Sequence, residues 1–168
     1  MKIYTIGHST RTIYQFLEIL IDNHIACLVD VRSYPGSRMF PHFNKSSLDK
    51  YLTKYGIKYY HLPALGGRRN IKNEIHSSIK IPAFSSFAQY MMTPEFNKGL
   101  VNLKKIAQKC KTAIMCSESL WYRCHRKMIS DKLVYDGWKV YHLGMGKPIQ
   151  HKIWNISRLK HGKIIYDQ

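Results

Sequence analysis

The chain has 168 residues, 45% of them hydrophobic, and 27 lysines and arginines against 10 acidic residues give it a formal net charge of +17. This length suits one domain with a full core, and no stretch approaches the roughly 18 uncharged apolar residues of a membrane span. We therefore expect no membrane association, and polyanions such as nucleic acid are the first partners to consider, because a strong positive field attracts them.

Four cysteines are present: Cys27, Cys110, Cys116 and Cys124. The chain begins with a strand-like pattern instead of the apolar region of a signal peptide, so we expect a cytoplasmic protein with reduced thiols and no disulfides. The sequence has no CxxC pair, and its local spacing therefore does not indicate structural zinc, although a site assembled from distant residues stays open. The positive charge also fits a lysine-rich surface that binds no nucleic acid, and this alternative stays open.

The first part of the chain alternates strand and helix patterns. Residues 2–7 (KIYTIG) predict a strand, and apolar residues at helical spacing between 13 and 21 predict a helix. Residues 26–31 (ACLVDV) have the continuous apolar character of a buried strand. A second helix over 48–55 and a third strand over 57–62 (IKYYHL) follow. These elements predict two consecutive strand–helix units.

A long polar segment follows over residues 63–82, and its GGRR motif predicts a mobile lid or an anion-binding loop. Two helices are predicted next, over 84–92 and 94–110, the second with a threonine cap and a proline in its first turn. The short apolar run 112–116 (TAIMC) predicts the fourth strand. The two helices therefore form an insertion before strand four.

The last part of the chain predicts a helix from about residue 120 to 135 and a fifth strand over 138–143 (WKVYHL). Residues 144–168 form a basic C-terminal extension, either an arm or a short helix packed on the domain. The alternation predicts a single doubly wound, Rossmann-like α/β domain over residues 1–168. Its mostly parallel five-stranded sheet is expected in the order 3-2-1-4-5.

Polar residues follow three of the predicted strands. His8 follows strand one, Asp30 and Arg32 end strand two, and Cys116 and Glu118 end strand four. Because the carboxyl ends of parallel strands meet at one edge of a sheet, we expect these side chains to line one crevice at the switch point.

Catalytic roles can be assigned to part of this group. Cys116 is a candidate nucleophile, because a helix N-terminus and nearby arginines lower a thiol pKa; the alternative is a buried structural cysteine. His8, Asp30 and Glu118 are candidate acid/base groups. The Cys-x5-Arg loop of phosphatases does not fit, because six residues without a glycine separate Cys116 from Arg123.

A second group of side chains suits an anion, because guanidinium groups bind phosphate in a bidentate manner. Its members are Arg32, Arg38, Arg123, His125 and Arg126. Arg123 and Arg126 are expected on one face of the same helix. The alternative is that the arginines pair with Asp30 and Glu118 in a buried ion network.

A metal site was also considered for His8, Cys116, Cys124 and His125. Adjacent residues in a helix point about 100° apart, so joint ligation by Cys124 and His125 is awkward in the predicted helix. We therefore predict no metal site, and the sequence indicates no particular cofactor.

Five ordered motifs resemble one bacterial and archaeal family, known as domain of unknown function 488. They are IGHS (6–9), VDVRSYPGSR (29–38), PHFN (41–44), YYHLPALGG (59–67) and CSESLWYRCHR (116–126). The resemblance implies a compact α/β domain and no established reaction. It also implies a polar site carried by His8, Asp30, Arg32, Arg38, Cys116, Glu118, Cys124, His125 and Arg126. Family members often have a proline in the loop that is Ser-Leu-Trp-Tyr here, at 119–122.

Two functional hypotheses follow from these observations. In the first, the protein binds a nucleic acid or nucleotide-like anion and processes it, as a Cys- or His/Asp-dependent enzyme acting on a phosphate-containing substrate. In the second, it is a non-catalytic nucleic-acid-binding or adaptor module in which the same residues are structural.

Overall fold

The structure is a computed structural model that describes residues 1–72 and 75–167. The strands are β1 (Lys2–Gly7), β2 (Cys27–Asp30), β3 (Lys58–His61), β4 (Thr112–Cys116), β5 (Lys139–His142), β6 (Ile149–Gln150), β7 (Ser157–Lys160) and β8 (Lys163–Tyr166). The α-helices are α1 (Ile13–Asp22), α2 (Lys45–Lys54), α3 (Pro82–Tyr90), α4 (Pro94–Lys109) and α5 (Arg126–Tyr135). Short 3-10 turns occupy Pro41–Phe43, Pro63–Leu65 and Trp121–Arg123. No helix among these residues is long and apolar enough to cross a bilayer.

The main sheet has the order β3-β2-β4-β1-β5-β6, with β6 antiparallel and the other strands parallel. The predicted fold class, a mostly parallel doubly wound α/β sheet with a helical insertion before β4, is confirmed. The strand order differs from the expected 3-2-1-4-5, because β4 lies between β2 and β1, and β6 adds a sixth strand. Every residue of β4 is buried, which suits a strand with neighbours on both edges and helices on both faces.

Alternating residues of the central strands pack on opposite faces of the sheet. In β4, Ile114 packs with the helices α3, α4 and α5 on one face, and Met115 packs with α1 and α2 on the other. In β1, Ile3 and Ile6 divide between the same two faces. The sheet therefore lies in the middle of the core.

We expected the C-terminal extension to be an arm or a short helix, but it is built from strands. β6 pairs with β5, and β7 and β8 form a hairpin. The hairpin turns at His161 and Gly162, whose φ angles of 48° and 74° are typical of a two-residue turn. Tyr166 at the end of β8 is fully buried, and its hydroxyl donates to Asp131 of α5 at 3.1 Å.

The expectation of four reduced thiols is wrong for two of them, because Cys27 and Cys110 form a disulfide. Cys27 begins β2, and Cys110 ends α4 just before β4. The two residues are 83 positions apart in sequence. They become neighbours because β2 and β4 are adjacent, with Cys27 in register with Thr112.

A buried chain of hydrogen bonds ties β1 to the C-terminal part of the protein. Thr5 Oγ1 lies 2.7 Å from His142 Nδ1, and His142 Nε2 lies 2.9 Å from His151 Nδ1. His151 Nε2 lies 2.8 Å from Asp131 Oδ1. The ring of Trp121 stacks on His142 with centroids 4.0 Å apart. Burial, followed by the charges of His151 and Arg126, lowers the pKa of His142 to about 2.

The burial of His142 in this hydrogen-bonded network predicts that the protein loses stability in acid. His142 stays neutral in the folded protein, whereas in the unfolded chain it takes up a proton as the pH falls below about 6.5. Between pH 7 and pH 5 this group alone should therefore lower the free energy of unfolding by about 2 kcal/mol. Urea unfolding at both pH values measures the loss, which should be about 2 kcal/mol smaller in His142→Gln. An equal loss in both proteins would contradict the assignment.

Candidate functional site

The carboxyl ends of β1, β4 and β2 meet at one edge of the sheet. The backbone N–H of His8 donates to the carbonyl of Cys116 at 3.0 Å, and Ser9 donates to Ser117 at 2.9 Å. On the other side of β4, Val31 donates to Met115 at 3.0 Å. The three strand ends that the sequence assigned to one crevice therefore adjoin here, despite the changed strand order.

A cleft of about 610 Å³ opens at this edge. Its floor and walls come from the strand ends, the loop after β2, the segment after Leu65 and the start of α3. The lining residues that bear on the chemistry are His8, Arg32, Tyr34, Phe40, Arg68, Cys116, Glu118, Arg123, Cys124 and His125. The predicted candidates Asp30, Arg38 and Arg126 do not line it.

His8 is a buried, neutral hydrogen-bonding group of the cleft. Its Nδ1 donates to the carbonyl of Ser9 at 2.9 Å, which leaves Nε2 to accept from Arg32 Nη1 at 3.3 Å. The ring stacks on Phe43, with centroids 4.3 Å apart. Burial, together with the nearby charge of Arg32, lowers the pKa of His8 to about 4. The imidazole is therefore uncharged at neutral pH.

Asp30 lies behind the cleft as the counter-ion of Arg32. Its carboxylate is fully buried and accepts from Arg32 Nη2 at 2.7 Å and from Nε at 3.0 and 3.2 Å. The Tyr59 hydroxyl donates to the same carboxylate at 2.7 Å, and burial and this acid raise the pKa of Tyr59. Arg32 also donates to the carbonyl of Phe43 at 2.7 Å. Asp30 and Arg32 therefore form a buried ion pair, which was the alternative to an anion-binding role for Arg32.

Arg126 supports the loop after β4 from the protein interior and does not line the cleft. Only 1% of its surface is exposed, and its guanidinium donates to the carbonyls of Glu118 and Ser119 and to Thr5 Oγ1. The expectation that Arg123 and Arg126 share one helix face is wrong. Arg123 belongs to a 3-10 turn, and α5 begins only at Arg126.

The remaining charged candidates lie at the surface. Glu118 lines the cleft, and its carboxylate accepts from the Ser119 hydroxyl at 3.3 Å and from the Leu120 N–H at 3.2 Å, so it stabilises its own loop. Arg38 is exposed and lies outside the cleft lining. Arg123 is exposed at the cleft, as is Arg68, which had been assigned to the predicted anion-binding loop.

Two thiols and an imidazole meet in the wall of the cleft. Cys116 Sγ and Cys124 Sγ are 3.2 Å apart, and His125 Nδ1 lies 3.4 Å from Cys124 Sγ. Both cysteines are free and buried. The predicted catalytic and anion-binding residues did not include Cys124. The sequence signal for it was a Cys-His pair that begins eight positions after a cysteine at a strand end.

The acidity of the two thiols is the reverse of what the sequence suggested. The hydrogen bond that the Cys116 thiol shares with Cys124, together with burial, raises the pKa of Cys116 to about 12. Burial acts to raise the pKa of Cys124 too, but the Cys116 thiol and the charge and N–H of Arg126 outweigh it and lower that pKa to about 6. Cys124 is therefore the more acidic of the two thiols, and Cys116 the less acidic.

The sequence argument against joint ligation by Cys124 and His125 is wrong, because Cys124 is not helical. It has extended backbone angles, φ −131° and ψ 154°, and precedes α5. As a result its sulfur turns toward His125, and potential ligand atoms of Cys116, Cys124 and His125 all lie within 4.8 Å of one another.

The His125 ring is held in this orientation by close packing. A Cβ atom on Gly67 would lie 2.6 Å from His125 Nδ1, so only glycine lets this backbone approach the ring. Phe87 of α3 meets the ring edge to face, with centroids 5.1 Å apart. Gly67, the second glycine of the GGRR motif, therefore contributes to the site because it has no side chain.

Comparison with known proteins places this architecture in a family. No curated protein and no solved structure matches the chain. The model of the family described as Domain of unknown function DUF488 matches residues 12–133, which include β2, β4 and the Cys-His pair. The chain therefore belongs to the Domain of unknown function DUF488 family.

Proposed function

We propose that the cleft binds a phosphate-bearing anion, either a nucleotide or a segment of nucleic acid. The observation that carries this proposal is the state of two cleft arginines. Among the described residues, no carboxylate lies within ion-pair distance of the guanidinium of Arg68 or Arg123, and no hydrogen bond engages either group. Arg32, in contrast, is already paired with the Asp30 carboxylate and the Phe43 carbonyl. Arg126 is buried outside the cleft lining, with its Nη2 atom bound to the loop after β4.

The charge balance of the cleft supports this proposal. Arg68 and Arg123 contribute positive charge to the lining, whereas Asp30 balances the charge of Arg32, and Glu118 is the only acid among the described lining residues. Hydroxyls of Ser9, Thr10, Ser33, Ser37 and Ser117 supply further hydrogen-bonding groups. The Arg68 guanidinium lies over the Tyr34 ring, 6.0 Å from its centroid, which leaves its N–H groups to a ligand. Because guanidinium groups pair with phosphate oxygens in fixed geometry, two arginines without a carboxylate partner among the described residues favour a phosphate over an uncharged ligand.

The size and aromatic content of the cleft suit a nucleotide. A volume of about 610 Å³ lies in the ordinary range of small-molecule sites. Tyr34 is 76% exposed at the cleft, and Phe40 is half-buried beside it. Exposed aromatic rings next to cations are the elements on which unpaired bases stack. The net charge of +17 supplies the long-range attraction.

Oligonucleotide and ATP binding, measured by fluorescence anisotropy and calorimetry, tests the proposal. Arg68→Ala and Arg123→Ala should each weaken binding about tenfold or more, because a charge-assisted hydrogen bond contributes about 1.5–3 kcal/mol. Arg38→Ala is the matched control, since it removes the same charge outside the cleft lining, and it should change affinity much less. For an oligonucleotide, log K should fall linearly with log salt.

Two results would contradict this function. Equal weakening by all three arginine variants would assign binding to the general surface charge. Absence of binding at about 50 mM salt, where phosphate contacts are strong, would remove nucleic acid and nucleotides altogether. A bound ligand that stays chemically unchanged over long incubation would favour the non-catalytic binding module over the enzyme.

A further inference from the structure

We propose that Cys116, Cys124 and His125 form a binding site for a zinc-type divalent cation in the wall of the cleft. This site does not depend on the proposed anion binding, because neither Arg68 nor Arg123 is among its ligands. The ion would be held by two sulfurs and one ring nitrogen, and its remaining coordination position would face the cleft.

The donor atoms already lie close to the positions that one ion requires. Tetrahedral coordination with Zn–S bonds of about 2.3 Å and a Zn–N bond of about 2.0 Å places two sulfurs about 3.8 Å apart and sulfur and nitrogen about 3.5 Å apart. The observed distances are 3.2 Å from Cys116 Sγ to Cys124 Sγ and 3.4 Å from Cys124 Sγ to His125 Nδ1. The ligand atoms of Cys116 and His125 lie within 4.8 Å of each other, so binding requires the two sulfurs to separate by about half an ångström and the three donors to close around the ion.

Each donor is positioned by an element that does not depend on the ion. Cys116 ends β4, which pairs with strands on both sides. Cys124 is fixed in extended conformation, and the Arg126 N–H lies 3.5 Å from its sulfur, where it can support a metal-bound thiolate. Gly67 and Phe87 hold the His125 ring. The site is therefore preorganised, and little ordering entropy opposes metal binding.

The chemistry of the donors selects the class of ion. Thiolate and imidazole ligands favour zinc and similar borderline-soft cations, whereas Mg²⁺ and Ca²⁺ require oxygen ligands. Both thiols lose their protons on binding, and the two thiolates balance the charge of a divalent cation. Such balance matters here because Cys116 and Cys124 are 7% and 5% exposed, and unpaired charge is costly at that burial.

The fourth position is open because, among the described residues, no further histidine, cysteine, aspartate or glutamate joins this group of three. His8 uses Nδ1 toward Ser9 and Nε2 toward Arg32, so neither ring nitrogen is available to a metal. Since Cys116, Cys124 and His125 all line the cleft, an ion between them is accessible from it. Three protein ligands with one open position distinguish catalytic zinc sites from closed structural ones.

Titration with Co²⁺ alone of the chelator-treated protein, in which Cys116 and Cys124 are free thiols and the Cys27–Cys110 disulfide is intact, tests this inference. Tetrahedral Co²⁺ bound by thiolates gives intense visible and sulfur-to-metal absorption bands, and one equivalent per chain should saturate them. Adding Zn²⁺ should displace the Co²⁺ and abolish the bands. Cys124→Ser and Cys116→Ser should remove the sulfur-to-metal intensity. His125→Gln should weaken binding by at least the roughly 10- to 100-fold that loss of an outer-shell partner costs.

Matched controls separate the site from general metal binding. Cys27→Ser/Cys110→Ser removes the disulfide outside the cleft without leaving a free thiol, and His24→Asn removes an exposed imidazole; both variants should bind Co²⁺ as the unmodified protein does. Circular dichroism establishes that each variant is folded. Bands that persist in Cys124→Ser, or folded protein with free Cys116 and Cys124 thiols that binds no Co²⁺, would overturn the metal site. In the second case, a loss of two mass units on oxidation, with Cys116 joined to Cys124, would instead identify a dithiol.

Discussion

Gly7→Ala is expected to destabilise the protein by about 4 kcal/mol or more, or to prevent folding. A Cβ atom at Gly7 would lie 1.8 Å from the carbonyl oxygen of Glu118 and 2.9 Å from the Cα atom of Ser119. Both are backbone atoms of the loop after β4, so no rotation of a side chain relieves the overlap. Either β1 or this loop must move, and the carbonyls bound by Arg126 would move with the loop.

Urea unfolding of Gly7→Ala beside Gly36→Ala measures this effect. Gly36 is the control because a Cβ atom there meets nothing within 4 Å, and its φ is not positive. Its replacement should change the free energy of unfolding by less than about 1 kcal/mol. If Gly7→Ala folds with stability equal to the Gly36 variant, β1 and the Glu118 loop are not packed as described.

Asp30→Asn is the second replacement with a large expected effect, a loss of about 3–5 kcal/mol in the free energy of unfolding. The change keeps the size of the side chain but removes the negative charge that faces Arg32. Arg32 is 8% exposed and would be left as a buried cation without a counter-ion. The Tyr59 hydroxyl would also lose its charged acceptor.

The same substitution at Asp167 is the matched control. Asp167 pairs with Arg158 of the hairpin, whose side chain is 60% exposed, and exposed pairs contribute about 0–1 kcal/mol. Thermal and urea unfolding should therefore separate Asp30→Asn from Asp167→Asn by several kcal/mol. In Asp30→Asn/Arg32→Met, where both charges are gone, stability should partly return. Equal effects of the two single variants would show that the Asp30–Arg32 pair is not buried in solution.

Local patterns in the sequence were sufficient to predict most elements. Thr93 caps α4 as predicted, and strand-like alternation marks β1. These signals act within a few residues, so they survive without knowledge of the tertiary structure. The meeting of His8 with Cys116 could be anticipated for a related reason: parallel strands end at the same edge whatever their order.

The remaining features depend on contacts between distant residues. The position of β4 between β2 and β1 has no local signal, because a buried apolar run fits any interior place in a sheet. The prediction of a helix beginning at about residue 120 hid the extended conformation of Cys124, and with it the approach of its sulfur to His125. The interior role of Arg126 arises from carbonyls that a folded loop presents, which no sequence spacing reveals.

The disulfide between Cys27 and Cys110 fixes the pairing of all four cysteines. Four cysteines allow three arrangements of two bonds, but the disulfide lies where β2 and β4 begin, whereas Cys116 ends β4. Four residues of strand separate the two levels, about 13 Å at roughly 3.3 Å per residue. Thiol–disulfide exchange requires direct attack of one sulfur on another. The two sulfur pairs therefore cannot scramble within the folded chain, and oxidation at the cleft can join only Cys116 to Cys124.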